Sequence, residues 1–497
     1  MGNHNSFNLN HKEQLHSARI NSLNKDPTLG MLPMEKLGKL LIQKSLEEDS
    51  INGIGCGVFK RYLFPQYPEM ARKLFAFLVT SSGGPASSHV ISYSNFKTQT
   101  ERLLSVLADD RQVLMYVTMY ADGKEEIDQD QFRDLLIAVY KLAMDHYPEG
   151  PQSCRYIFKT VQAVVDSAFH KKLTLKVGYL TNWILQHCPR LIVLLHRYIV
   201  HILSTGYRSV IEKSPYSKPN ENEPNDLELT TPVLEQENLF KTEKNPLLPL
   251  SQVWILSTTL PALYTQPILH SKPTPNCFNT QNFLSKFLDF SCPSHWTLLY
   301  NSNQHGIGSN RFLHHVLSYR GPTLTFLRGD EGVLFCMGGT SEWRESHQYW
   351  GGDDTIILQL LPYYKVINRK YLNNLRVKIL FNTSQFIKGG PKSMYLNTSI
   401  RGYPKGIRAG NDPRKPSIEV DDSFQHVTHC GIPYKLESVE VWGCGSPKNR
   451  EVQLDIKNWQ IKEAEKNRKL KMTSKEWLDH PDRYLLELAG RQTYSTS

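Results

Sequence analysis

The sequence has little of what marks a secreted, zinc-binding or nucleic-acid-binding chain. Its eight cysteines fall at Cys56, Cys154, Cys188, Cys277, Cys292, Cys336, Cys430 and Cys444, with no CxxC pair and no regular interval. That scatter gives neither a disulfide framework nor a zinc ribbon, and it fits a reducing compartment. The opening MGNHNSFNLNHKEQ contains no apolar run, so no secretory signal peptide is expected. Neither a Cys/His finger spacing nor an RNP-type aromatic motif occurs. The net charge of +10, from 58 basic against 48 acidic residues, therefore reads as a mild preference for acidic partners or an anionic leaflet, and no nucleic-acid partner is expected. An uninterrupted membrane span is also missing. The most apolar stretch, Trp183 to Leu203, carries His187, Pro189, Arg190, His196, Arg197 and His201, which a single-pass helix tolerates poorly. Ile192, Leu195, Ile199 and Ile202 recur at helical spacing, so this stretch predicts buried helices broken near Pro189.

What is present is an ordinary globular composition, 40% hydrophobic and 21% charged, over 497 residues. That length exceeds what one core usually organises and predicts two or three domains. Residues 1–31 are polar and read as a tail. Residues 32–212 show apolar residues on one face of successive helices, as in MEKLGKLLIQKSL, FRDLLIAVYKLAM and CRYIFKTVQAVVDSAF, and predict an all-α domain. Residues 213–247 are rich in Pro, Asn and Glu and read as a linker. Within 248–445 the period changes to strands, in WTLLYNS, PTLTFLRG, GVLFCMGG, DTIILQLLPYYKVI and SVEVWGCG, with short helices at 282–287 and 310–317. Residues 446–497 return to charged helix.

Two local patterns carry functional meaning. Met1-Gly2-Asn3-His4-Asn5-Ser6 fits the M-G-x-x-x-[ST] pattern for myristoylation of Gly2. One acyl chain holds a membrane only marginally, and Lys12, Arg19 and Lys25 are too sparse to add a polybasic anchor, so a second attachment is expected. In the helical domain, Ile91 precedes Phe96 and Ile127 precedes Phe132 at the same interval, as the central β-residues of paired EF-hands would. With Ile127 as loop position eight, Tyr120, Asp122, Lys124 and Gln131 stand at the calcium-ligand positions, so the pair is expected to pack rather than to bind calcium.

Trp296 to Ser302, His305-Gly306, Ser309 and Phe312 resemble the opening of the TLDc domain. Pro322 to Leu327 resembles its second strand, Gly332 to Gly339 its third, Trp343 the following loop and Val439 to Trp442 the closing strand. The resemblance covers roughly residues 248–445. The Met-Gly start, the EF-hand-like half and the basic C-terminal helix make the chain most similar to the mTOR-associated branch of that family. The resemblance implies an α+β multidomain protein: an EF-hand-like N-terminal domain, a linker, a TLDc two-sheet β-sandwich with flanking helices and a C-terminal helix. It further implies a non-catalytic adaptor in the cytoplasm and on the cytosolic face of the lysosomal membrane. Its expected partners are subunits of the vacuolar proton-pumping ATPase, mTOR or its complex, and the membrane itself through myristoyl-Gly2. Partner contacts are carried onto His305, Gly306, Glu331 and Trp343, and onto Trp459, Lys462, Lys466, Arg468 and Lys469 of the C-terminal helix. The segment Gly402 to Asp412 departs from the family's glycine-rich loop by having fewer glycines and two added cations.

His305, Ser309, Glu331 and Cys336 cluster in sequence, but Gly306-Ile-Gly-Ser309-Asn lacks the glycine that follows a nucleophile in G-x-S-x-G, and Ser309 is expected to cap a helix. Cys336 lies in an apolar strand and reads as a buried thiol. His426, His429 and Cys430 lack a fourth ligand, so no metal or cofactor is expected. The alternative is an oxidative-stress protection factor, an enzyme in its strongest form; a calcium-responsive membrane switch is a third reading.

Overall fold

The computed structural model describes residues 32–85, 88–144, 156–212, 247–265, 296–352, 354–367, 392–469, 485 and 488–489. Gly2, the stretches 213–246 and 282–287, and the side chains of Arg468 and Lys469 lie outside the described residues. Helices fill the N-terminal half and a β-sheet region the C-terminal half.

In the N-terminal half, α1 (Pro33–Asp49), α2 (Cys56–Leu63), α3 (Pro68–Ser81), α4 (Tyr93–Leu104), α5 (Asp109–Tyr120), α6 (Gln129–Ala143), α7 (Ile157–Phe169), α8 (Val177–His187) and α9 (Val193–Glu212) bury the stripes that the periodicity marks. Pro33 opens α1, where its missing N–H costs nothing. Asp128 caps α6 by accepting from the Gln131 N–H, and Gln131 reaches back to the Asp128 N–H. Gly206 lets α9 close on α2, because a Cβ there would stand 2.9 Å from Leu63. The apolar stretch around Pro189 is two buried helices broken at Cys188–Ile192, and among the described residues no helix is long and apolar enough to cross a membrane.

Four short strands join these helices: β1 (Ile54–Gly55), β2 (Val90–Ile91), β3 (Glu126–Asp128) and β4 (Thr174–Lys176). The expected partnership of Ile91 with Ile127 does not form. Ile54 pairs with Ile91, and Ile127 pairs with Leu175. The segment at 175 was hidden because it has leucine at its centre and Leu180 in place of the phenylalanine, whereas Ile54 and Phe59 repeat the isoleucine-to-phenylalanine interval and carry the same signal as the other two.

The C-terminal half is built on β5 (Thr297–Asn301), β6 (Thr323–Gly329), β7 (Leu334–Gly339), β8 (Ile356–Leu361), β9 (Lys365–Val366), β10 (Met394–Asn397), β11 (Gly406–Ala409), β12 (Ile418–Val420), β13 (His426–His429) and β14 (Ile432–Gly443). Hydrogen bonding runs β10-β11-β12-β13-β14-β6-β7-β8-β9, with β5 also on β14. The first part of β14 pairs with β13 and the remainder with β5 and β6. Part of the segment expected as a loop, Gly406 to Ala409, is thus a strand. Gly406, at φ +104°, is required there because a Cβ would stand 2.0 Å from the Val420 carbonyl oxygen.

The strands β6, β7 and β8 are buried on both faces, and their alternation explains why. Leu324, Phe326, Leu334, Cys336, Ile356 and Leu358 join the core shared with the helical half. Leu327, Phe335, Met337 and Ile357 face the other way, into a second core closed by Met394, Leu396, Ile407, Ile418 and Val420. Between helices and sheet lies α10 (Leu250–Thr259), buried from Ser251 to Thr259. Trp254 packs edge-on against Tyr140 of α6, Thr259 Oγ1 donates to the His187 carbonyl at 2.8 Å, and the Arg190 N–H donates to the Thr258 carbonyl. The Tyr364 N–H bonds the Ala163 carbonyl directly across the same junction.

Candidate interaction site at the C-terminal helix

The residues expected to contact partners do not form one surface. Trp343 is interior: only 2% exposed, it donates from Nε1 to Thr323 Oγ1 at 2.8 Å and packs edge-on to Phe312 and Trp350. It supports the fold and presents nothing to a partner. Glu331 is exposed in the turn between β6 and β7, at φ +58°, while Trp343 follows the far end of the same hairpin. The register separates those two ends by the whole length of β6.

His305 and Gly306 close α11 (Ser302–His305), the short helix after β5. Gly306 has φ +79° and its carbonyl accepts from the Tyr300 hydroxyl at 2.8 Å. His305 Nδ1 accepts from the Asn301 N–H at 3.1 Å, which leaves the proton of the neutral ring on Nε2. Its ring stacks on His315, centroids 3.8 Å apart, at the end of α12 (Ser309–Val316). The N-cap of α12 is Gly308 rather than Ser309, which is already the first helical residue and makes no capping bond.

The stacked pair lies where the C-terminal helix α13 (Pro447–Lys469) begins. Gln453, fully buried, donates from Nε2 to the His315 and Leu317 carbonyls at 3.0 and 2.8 Å, and Lys457 Nζ reaches the His315 carbonyl at 3.3 Å. These bonds satisfy carbonyls left open at the end of α12. Arg450 donates to Gln453 Oε1 and orients the amide. Burial holds the His305 imidazole below its ordinary value, with Arg450 and Lys457 adding to the effect. It takes His315 down to about 4 and Lys457 to about 8.

Beyond Lys457 the helix leaves the domain. Trp459 is 64% exposed and Ile461 53%, and Lys462 and Lys466 are exposed, with Lys466 3.8 Å from Glu463. The anchor residues Arg450, Gln453, Lys457 and His315 were missed from sequence. The i, i+3, i+7 spacing of the first three was visible, but polar side chains at that spacing read as a solvated face until a row of carbonyls is found opposite them.

Cys336, read from the sequence as a buried thiol, is enclosed. Burial pushes Cys336 far above the ordinary thiol range. Cys430 and His429 are adjacent, with Sγ 3.8 Å from Nδ1, but that nitrogen lies 2.8 Å from the Ser417 carbonyl. In the helical half Asp122 is ion-paired to Lys73 Nζ at 2.6 Å and accepts from Gln131 Nε2 at 3.1 Å. That donor set does not suit calcium: an ammonium stands on the carboxylate, and an amide occupies the position of the bidentate glutamate.

Residues 278–445 match the TLDc domain family. The chain is similar to the MTOR-associated protein MEAK7 of Danio rerio, 24% identical over 209 residues, 39% of this chain and 42% of the relative. It is also similar to Restriction of telomere capping protein 5 of Lachancea thermotolerans, 29% identical over 181 residues, 34% of this chain and 30% of the relative. The same protein of Colletotrichum graminicola is 24% identical over 288 residues, 46% of each chain. The chain therefore spans less than half the length of these relatives.

Proposed function

We propose, taking as premise the TLDc domain at residues 278–445, that this protein is a non-catalytic adaptor that holds the vacuolar proton-pumping ATPase at the lysosomal membrane and serves mTOR signalling there. The observation that carries the reading is α13. It is pinned to the domain at Gln453 and Lys457 and then runs free with Trp459, Ile461 and Lys462 in solvent, the composition of an interface anchor. The similarity to an mTOR-associated protein supports the pathway. Myristoylated Gly2 would supply the weak membrane contact, and the gripped pump the strong one.

The C-terminal half is read as a two-sheet sandwich in which β14 belongs to both sheets and the second core fills the space between. The helical half is read as two EF-hand-like pairs, at Ile54/Ile91 and Ile127/Leu175, that pack without metal. Enclosure of Cys336 and the existing hydrogen bond to His305 Nδ1 weigh against the enzymatic alternative.

The test is capture of pump subunits from lysosome-rich membranes by the intact protein, Gly2→Ala, Trp459→Ala and a chain ending at Gly445. Recovery by intact protein, reduced by loss of the helix and of Trp459, supports the adaptor. Equal recovery with all four chains removes α13 from the interface. Peroxide consumption that disappears with Cys336→Ser in a still-folded protein would replace the adaptor with the enzyme.

A further inference from the structure

A second concave surface lies away from the C-terminal helix, in the part of the chain whose cations depart from the family pattern. The loop after β7, strands β10 and β11 and the β11–β12 turn line an open groove of about 590 Å³, within the size range of ligand sites. One wall is aromatic: Tyr349 and Tyr395 lie with ring centroids 5.0 Å apart, and His347 packs on Tyr403 beside them. Both phenols are tied back to the protein. Tyr395 donates to the Pro404 carbonyl at 2.7 Å and Tyr349 to the Pro413 carbonyl at 3.3 Å, so the ring faces are what remain for a ligand.

Arg408 lines the same groove. Its Nη2 donates to Glu419 on the neighbouring strand, but its Nε is buried and has no hydrogen-bond partner among the described residues. The Tyr349 phenol lies beside this guanidinium, and the part of Arg408 that lines the groove is where an incoming anion would meet it. Lys392 stands exposed on the rim. Between residues 392 and 415 the sequence has Lys392, Arg401, Lys405, Arg408, Arg414 and Lys415 against Asp412, whose carboxylate already accepts from the Arg414 N–H.

We propose that this groove binds an extended acidic peptide segment of a partner protein, seating one aspartate or glutamate carboxylate on the groove-facing part of the Arg408 guanidinium and on Lys392, and an apolar side chain on the Tyr349–Tyr395 face. With Glu419 already on Nη2, the remaining charge suits a singly charged carboxylate better than a phosphate, which calls for a cluster of unengaged arginines. The site is independent of the C-terminal helix and of the pump.

The test pans a phage-displayed random dodecapeptide library on the full-length protein, then measures the enriched peptide by fluorescence polarisation. The expected result is enrichment of peptides with a required Asp or Glu beside an apolar residue. Arg408→Gln should weaken binding about tenfold or more. Tyr349→Ala, which removes one of the two aromatic faces, should also weaken it, both variants being checked for folding by circular dichroism. The amide form of the peptide should lose binding as Arg408→Gln does. No enrichment, equal binding of the amide peptide, or equal binding by folded Arg408→Gln would overturn the proposal. So would displacement of the peptide by millimolar inorganic phosphate, which would make this a phosphate site.

Discussion

Gly306 sits at φ +79°, where an L side chain is strained, and an added Cβ would also displace the Arg311 guanidinium, 2.0 Å away at the end of a flexible side chain. Gly306→Ala should therefore destabilise the protein by about 1–3 kcal/mol, read as a lower midpoint in urea unfolding. Trp343→Ala should cost about 3–5 kcal/mol in the same assay, as expected of a buried indole removed from a core. The His305–His315 pair gives a pH dependence whose sign is fixed by linkage. Both imidazoles titrate lower in the folded protein than in the unfolded chain, so the unfolded chain binds more protons below the ordinary histidine value. Their contribution is present above about pH 6.5. It falls as pH drops towards about 4, the folded value for His315. Among the described residues the groups facing the pair, Arg311, His314, Arg450 and Lys457, are all basic, and no carboxylate there offsets the charge. Melting temperatures from pH 7.5 to 5 should decline, and His315→Phe should flatten the decline.

At the scale of elements, much was legible in the sequence. Short runs of aromatic and β-branched residues between turn residues marked β5 to β8 and the end of β14, and helical periodicity marked the N-terminal half. The break at Pro189 and the helix after Gly445 were also legible. Pairing was not, because a period tells which face of a segment is apolar and not what covers it. That is why Ile91 and Ile127 looked like partners although each pairs elsewhere. It is also why Trp343 looked like a loop contact, an aromatic after a strand being equally suited to a surface or to a core. The site was legible in its exposed half, Trp459 and Lys462, and hidden in its anchored half. Gln453 makes the difference testable. Gln453→Ala leaves the His315 and Leu317 carbonyls without that donor, at about 1–3 kcal/mol for the buried acceptors. Amide exchange across 447–460 should then accelerate while β6 and β7 stay protected; unchanged exchange in the helix would mean that Gln453 does not hold it.

Across the whole molecule, two segments that read as separate domains share one hydrophobic core, with α10 between them. Far-ultraviolet and tryptophan signals should accordingly report a single unfolding transition. Trp254→Ala, which removes the indole from Tyr140 and from that shared core, should lower the common midpoint rather than split it. Two well-separated transitions would show that the halves hold together less firmly than their contacts imply.

The buried position of α10 also sets an order of events at the ribosome. Residues 32–212 emerge first and can complete their helices, yet the apolar surface that receives Trp254 stays uncovered until α10 has been synthesised. β5 then waits for β14, more than a hundred residues later, before it gains its strand partner. The nascent chain thus carries a sticky, half-finished interior for most of its synthesis, which makes it a natural client for chaperones that shield exposed apolar surface.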